Sequence, residues 1–254
     1  MMSINETKTG PSTLFQMILK QYGYKLKGHS GFIYSLIVVQ LFAVLLSLGS
    51  SSGFSSNNDF VSINIRMYTE DILLIFSLLW MMAVVSLLGS QPYRSMELSV
   101  VNTRMVSHAS NLLLIVTYAV YAGVTSTLAA IIHRLMILAA LKEGEVLFGG
   151  LGIMPQDLLL GIFVATLYFI LLAAFVYLIQ TFSLLSRGLG IILWIGLLAF
   201  GFGTVRIFDF HLGKVLEFYM VESSLGMFTL KVFCTAVLFF GSSVLLTKGM
   251  EVKR

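Results

Sequence analysis

The chain has 254 residues, 57% of them apolar and only 11% charged, with a formal net charge of +4 and a mean hydropathy of +0.93. Soluble domains carry about 25% charged residues, so a soluble globular fold is excluded, and no polar stretch is long enough for a fused catalytic or nucleotide-binding domain. The single Cys234 excludes an intramolecular disulfide, and no cysteine or histidine cluster has metal-ligand spacing.

A helix needs roughly 20 apolar residues to cross the hydrocarbon, and six runs approach that length. They lack the alternating pattern of membrane strands, which excludes a barrel. The expected fold is an all-α integral membrane protein, one transmembrane domain over residues 1–254. The first thirty residues hold no compact apolar core with a small-residue cleavage site, so an uncleaved chain inserted by its own spans is expected.

In chain order, the first element is an amphipathic helix over 12–28. Phe15, Ile18, Leu19, Tyr22 and Leu26 recur on one helical face, with Gln16, Lys20 and Lys27 on the other. Such a helix suits the membrane interface, its lysines toward anionic headgroups and water. Spans follow at about 32–50 and 72–89. Between the second and third lies SMELSVVNTRMVSHASN, Ser95 to Asn111, too polar for a span and too patterned for a plain linker. A helix over 93–109 is predicted, opened by Pro92, with Leu98, Val101, Met105 and Ala109 on one face and Ser99, Asn102 and Arg104 away from it. It fits either a helical extension of a neighbouring span or a docking helix for a soluble partner.

The third span is predicted at 112–132, but its apolar run continues to Leu141. Thirty residues rise about 45 Å against a core of roughly 30 Å. The helix therefore either extends beyond the membrane or breaks near His133. Further spans are predicted at 158–179, 189–206 and 228–247, with an amphipathic segment over 207–226 carrying Leu212, Val215, Leu216, Tyr219 and Met220 at helical spacing. Small residues at four-residue spacing, Ala119–Gly123–Thr127, Gly161–Ala165 and Ala199–Gly203, mark close helix contacts. Gln40 and Gln180 are expected as interhelical hydrogen-bond partners.

Lysine and arginine orient the spans. With the N-terminus inside, the inner side holds ten basic and three acidic residues, and the outer side six basic and nine acidic. Both termini and the 93–109 segment are thereby expected in the cytoplasm. His133, Arg134, Arg206 and Lys231 fall near the outer ends of spans. They fit rim anchors paired with Glu70, Asp71, Asp209 or Glu222, or a charged outer gate. No charge sits mid-span, which argues against an ion-coupled transporter.

This layout, with the run VVNTRMVSHASN after the second span, resembles the membrane permease subunit of type-two (ABC-2) ABC transporters, bacterial exporter type, over the whole chain. The resemblance implies an export subunit in the bacterial plasma membrane, paired with a second permease copy or paralogue and with separate ATPase subunits that carry ATP and magnesium. It implies no catalytic residue and no cofactor on this chain, and no nucleic-acid partner. It makes Lys20, Tyr24, Glu97, Asn102 and Arg104 the contacts to the ATPase. Abundant Phe and Met, 20 and 13 residues, suit an amphiphilic cargo such as a peptide antibiotic, toxin, lipid or drug-like molecule. Two other classes stand beside it. An intramembrane metalloprotease would need an HExxH-type pair, and none occurs. A stand-alone immunity or sensor protein would bind an antimicrobial peptide without an ATPase.

Overall fold

The computed structural model describes residues 14–49, 52–58, 61–67, 70–90, 104–140, 154–186, 188–196, 218–219, 221–222 and 224–249. Its elements are α1 (Leu14–Gly28), α2 (Gly31–Leu48), β1 (Ser52–Asn58), β2 (Val61–Met67), α3 (Asp71–Leu88), α4 (Arg104–Ala140), α5 (Pro155–Leu185), the short helix α6 (188–196) and α7 (Leu225–Gly249). Among the described residues, α2, α3, α4, α5 and α7 are long and apolar enough to cross a membrane. They are apolar outside as well as inside. On α2, Tyr34, Val38, Leu41 and Leu45 form an exposed stripe, and on α7 Phe233, Leu238 and Leu245 are exposed. Soluble proteins rarely expose so large a patch, and a helix apolar all round belongs in lipid. The chain is a multi-pass membrane protein.

Consecutive spanning helices run antiparallel with one exception. Ser35 faces Trp80 and Gln40 faces Ser77, so α2 and α3 run in opposite directions. His108 meets Tyr177 and Gly123 meets Thr166, so α4 and α5 do too. The exception is α7. Tyr168 stacks near Phe228 and Tyr177 near Phe240, which makes α5 and α7 parallel. The core lies where α2, α3, α4 and α5 meet, around Leu36, Met81, Val85, Tyr118, Ala122 and Phe169.

Close approach of α4 and α5 depends on small residues. A Cβ on Gly123 would lie 2.3 Å from Thr166 Oγ1 and 3.1 Å from the Ile162 carbonyl, and one on Gly161 would touch Thr127 at 3.6 Å. The Ala119–Gly123–Thr127 stripe thus packs within the bundle. The two glutamines bridge helices as the sequence suggests: Gln40 Nε2 donates to Ser77 Oγ at 3.1 Å, and Gln180 Nε2 to the Ser86 carbonyl at 2.6 Å. After α5 the chain turns back on itself. A Cβ on Gly190 would collide with Ser183, and Trp194 of α6 packs on the core.

The structure refines the sequence reading in three places. First, the helical architecture carries one short addition, a hairpin in which β1 and β2 pair antiparallel from Ser52↔Met67 to Asn58↔Val61. The alternation of Val61, Ile63, Ile65 and Met67 with polar residues is the strand signal. Second, of the two courses open to the third apolar run, it takes the unbroken one: α4 is a single helix of 37 residues running through His133. Third, residues 104–109 are not a helix separate from the third span but the first turns of α4. Residues 93–103 lie outside the described residues. So do 197–206 of the fifth predicted span, and 207–217, Met220 and Ser223 of the segment after it. The helix predicted over 158–179 is longer, starting at Pro155, whose fixed φ and missing N–H suit the first helical position after the extended Met154.

Candidate coupling face and charged rim

At one end of the bundle α1 lies across the beginning of α4. Its packed side is fixed by polar contacts as well as apolar ones. Tyr22 OH and Thr117 Oγ1 share a hydrogen bond at 2.9 Å. Lys25 Nζ donates to Asn111 Oδ1, and to the Ser107 carbonyl at 3.4 Å. Tyr118 OH donates to the His29 carbonyl at 3.1 Å, and His29 Nδ1 to the Lys25 carbonyl at 2.7 Å. Tyr22 and Leu26 also press on the apolar core.

The opposite face of α1 carries Gln16, Lys20, Tyr24 and Lys27, all exposed, with Tyr24 at 72%. Lys20 and Tyr24 therefore share one outward surface. The face predicted for packing is only partly used, because Phe15 and Leu19 are exposed. Lys25 takes their place at 2% exposure. Nothing in the α1 pattern marks this lysine; a mate such as Asn111, 86 positions further on, is what makes its burial tolerable.

Arg104 is the first residue of α4, while Glu97 and Asn102 lie outside the described residues. The apolar face assigned to this segment is displaced by one position. Met105 is 57% exposed, whereas Val106 is buried at 1%, together with His108, Ser110 and Asn111. His108 Nδ1 shares a hydrogen bond with Tyr177 OH at 2.6 Å, joining α4 to α5 directly above the α1 contact. His108, Asn111 and Lys25 are the residues of this region that sequence reasoning missed, since their burial depends on partners far along the chain.

The other end of the bundle holds two ion pairs. Arg134 of α4 pairs with Glu70 at the start of α3, and Lys231 of α7 with Glu222. Lys231 also donates to the Phe218 carbonyl at 3.2 Å and stands 4.0 Å over the Phe218 ring, a cation–π contact. Tyr219 OH shares a hydrogen bond with Thr235 Oγ1 at 2.7 Å, so Phe218, Tyr219 and Glu222 are all fastened to α7. The two basic residues thus have separate acids, Glu70 just ahead of α3 and Glu222 just ahead of α7, two of the four acids expected as partners. Arg206 lies outside the described residues. His133 is buried at 1%, and neither ring nitrogen has a hydrogen-bond partner among the described residues.

An open apolar groove of about 520 Å³ runs between α5 and α7, lined by Phe163, Leu225, Gly226, Thr229, Leu230 and Phe233. It contains no titratable group. Among the described residues no cluster of three histidine, cysteine or acidic side chains could hold a metal. Chemically, the arrangement offers a polar-aromatic face at one end and neutralised charge pairs at the other. Comparison with models of protein families, with curated proteins and with solved structures finds no match.

Proposed function

We propose that this chain is the transmembrane subunit of a type-two ABC exporter, with six spans and both termini in the cytoplasm. In this reading it moves an amphiphilic substrate outward, using ATP hydrolysed by a separate subunit. One observation supports the six spans. Because α5 and α7 run parallel, the chain between Leu185 and Leu225 returns across the bundle, a distance of about 30 Å for a 20-residue helix. A crossing over 189–206, begun by α6, supplies that return.

The observation that carries the coupling role is the two-faced α1. One side is bonded to the first turns of α4, and the other presents Lys20 and Tyr24 outward beside the point where Arg104 opens α4. A helix used solely as a membrane anchor has no need of bonds to a span that begins some eighty residues later. In the proposed mechanism, closure of two ATPase subunits pushes on this face, with Glu97, Asn102 and Arg104 in the same contact. The stroke then moves α4 and α5 in each of two paired permeases. ATP and magnesium stay on the ATPase. Energy arrives from outside the bilayer, which agrees with rim charges that are paired rather than arrayed along a pathway.

The test is capture. The tagged chain, expressed with a candidate ABC ATPase subunit from the same operon, is expected to co-purify with it and to stimulate its hydrolysis. Arg104→Glu combined with Asn102→Ala is expected to reduce capture and coupled transport together. Functional protein with no ATPase bound, still conferring resistance to an antimicrobial peptide, overturns the reading in favour of a stand-alone immunity protein.

A further inference from the structure

A lysine ammonium moved out of water costs several kcal/mol unless partners replace its hydration. On a surface helix, lysine therefore normally reaches solvent, as Lys20 and Lys27 do on α1. Lys25 does not. It is 2% exposed and reaches the Ser107 carbonyl and the Asn111 side chain, which stand one turn apart at the beginning of α4. The Tyr22–Thr117 and His29–Tyr118 bonds lie on the same interface. Residues 22–29 are thus fastened to residues 107–118. Beyond them, His108–Tyr177 and the close approach at Gly123 join α4 to α5. The next element in the chain after α1 is α2, yet these four polar bonds from 22–29 go to α4.

Apolar ridges alone would let two helices slip past each other by a turn at modest cost. A buried ammonium held by two oxygens does not slip, because displacement leaves a charge without partners, a larger penalty than the contact's own worth. We propose that Lys25 is a positioning residue that locks α1 to α4 in one register, so that force received on the outward face of α1 is delivered to the α4–α5 pair. The transmission part of this rests on the proposed function; the lock itself does not.

The experiment uses the full chain in lipid nanodiscs, alone and with the candidate ABC ATPase subunit. Lys25→Met keeps the length of the side chain and removes its charge. Amide exchange over residues 18–28 is expected to rise about tenfold or more, as fits the loss of a hydrogen bond to a charged group. Lys27→Met, which removes an exposed charge from the same helix, is expected to leave that exchange unchanged. The double variant Lys25→Met with Asn111→Leu sets an apolar pair in place of the polar one and is expected to restore most of the protection. Should Lys25→Met fail to fold, Thr117→Val breaks the Tyr22 bond on the same interface, and the same direction is expected with smaller size.

The second readout separates transmission from mere structure. Spin labels on exposed positions of α3 and α4, Ile75 and Leu138, report an ATP-dependent distance change in the complex. Lys25→Met is expected to retain ATPase capture and hydrolysis while at least halving that change. Exchange identical to the unaltered chain overturns the lock. Loosened α1 with a full-sized distance change overturns transmission, as does a proportional fall of capture, hydrolysis and movement. An unaltered chain that captures no ATPase overturns the proposed function and the transmission with it, while exchange still decides whether Lys25 locks α1 to α4.

Discussion

Gly123 and His133 stand ten residues apart on α4 and make opposite demands. At Gly123 the backbone of α5 is so near that even a methyl group has no room. Gly123→Ala is expected to destabilise the folded protein by about 1–3 kcal/mol, the usual range for overpacking. The fall should appear as a lower melting temperature in detergent. Thr166→Ala removes the nearest obstructing atom, so the double variant should recover part of the loss, a coupling that a double-mutant cycle measures. His133 is buried but has no hydrogen-bond partner among the described residues. An unsatisfied buried polar group costs roughly 1–3 kcal/mol. His133→Leu is therefore expected to raise the melting temperature, and a fall would show that the imidazole has a partner in the folded protein.

At the scale of elements, the two ion pairs differ in what they do. The Arg134 side chain is 64% exposed, whereas the Lys231 and Glu222 side chains are 18% and 21% exposed and are joined by the Phe218 ring and carbonyl. Exposed pairs contribute little. Glu222→Gln is accordingly expected to lower the melting temperature more than Glu70→Gln, and added salt should erase the Glu70 effect first. The helices themselves were legible, because apolar runs of span length and small residues at four-residue spacing are local signals. Gly123, Gly161, Gln40 and Gln180 all act as their spacing suggests. What was not legible depends on distant partners. Lys25 is buried because Ser107 and Asn111 receive it. The buried side of the α4 start is set by α1 and α5, so Val106 and His108 face inward in place of Met105. The hairpin was hidden by the serine- and asparagine-rich composition of β1, which reads as loop until β2 supplies its mate.

For the whole molecule, the proposed orientation makes a plain prediction. In a Cys234→Ala background, a cysteine at Ser55 in β1 should react with a membrane-impermeant maleimide on intact cells. A cysteine at Lys20 on α1 should react only after the membrane is opened. The reverse pattern would invert the topology and remove the coupling role, since α1 would then face away from any ATP. How far α1 and the candidate face could be anticipated follows from the same logic. Charge bias can assign a side of the membrane to a segment, but it says nothing of which span that segment grips.

The length of α4 has a consequence for how the molecule sits in its bilayer. The 18 residues of α2 or of α3 rise about 27 Å, close to the hydrocarbon layer alone. Along α4, Arg104 and Arg134 are thirty residues apart, about 45 Å, which is the full bilayer with both headgroup layers. On the proposed orientation Arg134 is a collar at the far headgroup layer, with the last turn and a half of the helix projecting past it. A thinner bilayer cannot be met by sinking this helix, because the far collar is held to Glu70 on α3 and the near end is held to α1. Tilt is what remains, and tilting α4 carries both attachments with it. Lipid thickness should therefore set the resting angle of this helix, and chains reconstituted in short- and long-acyl lipids should differ in that angle before any nucleotide is added.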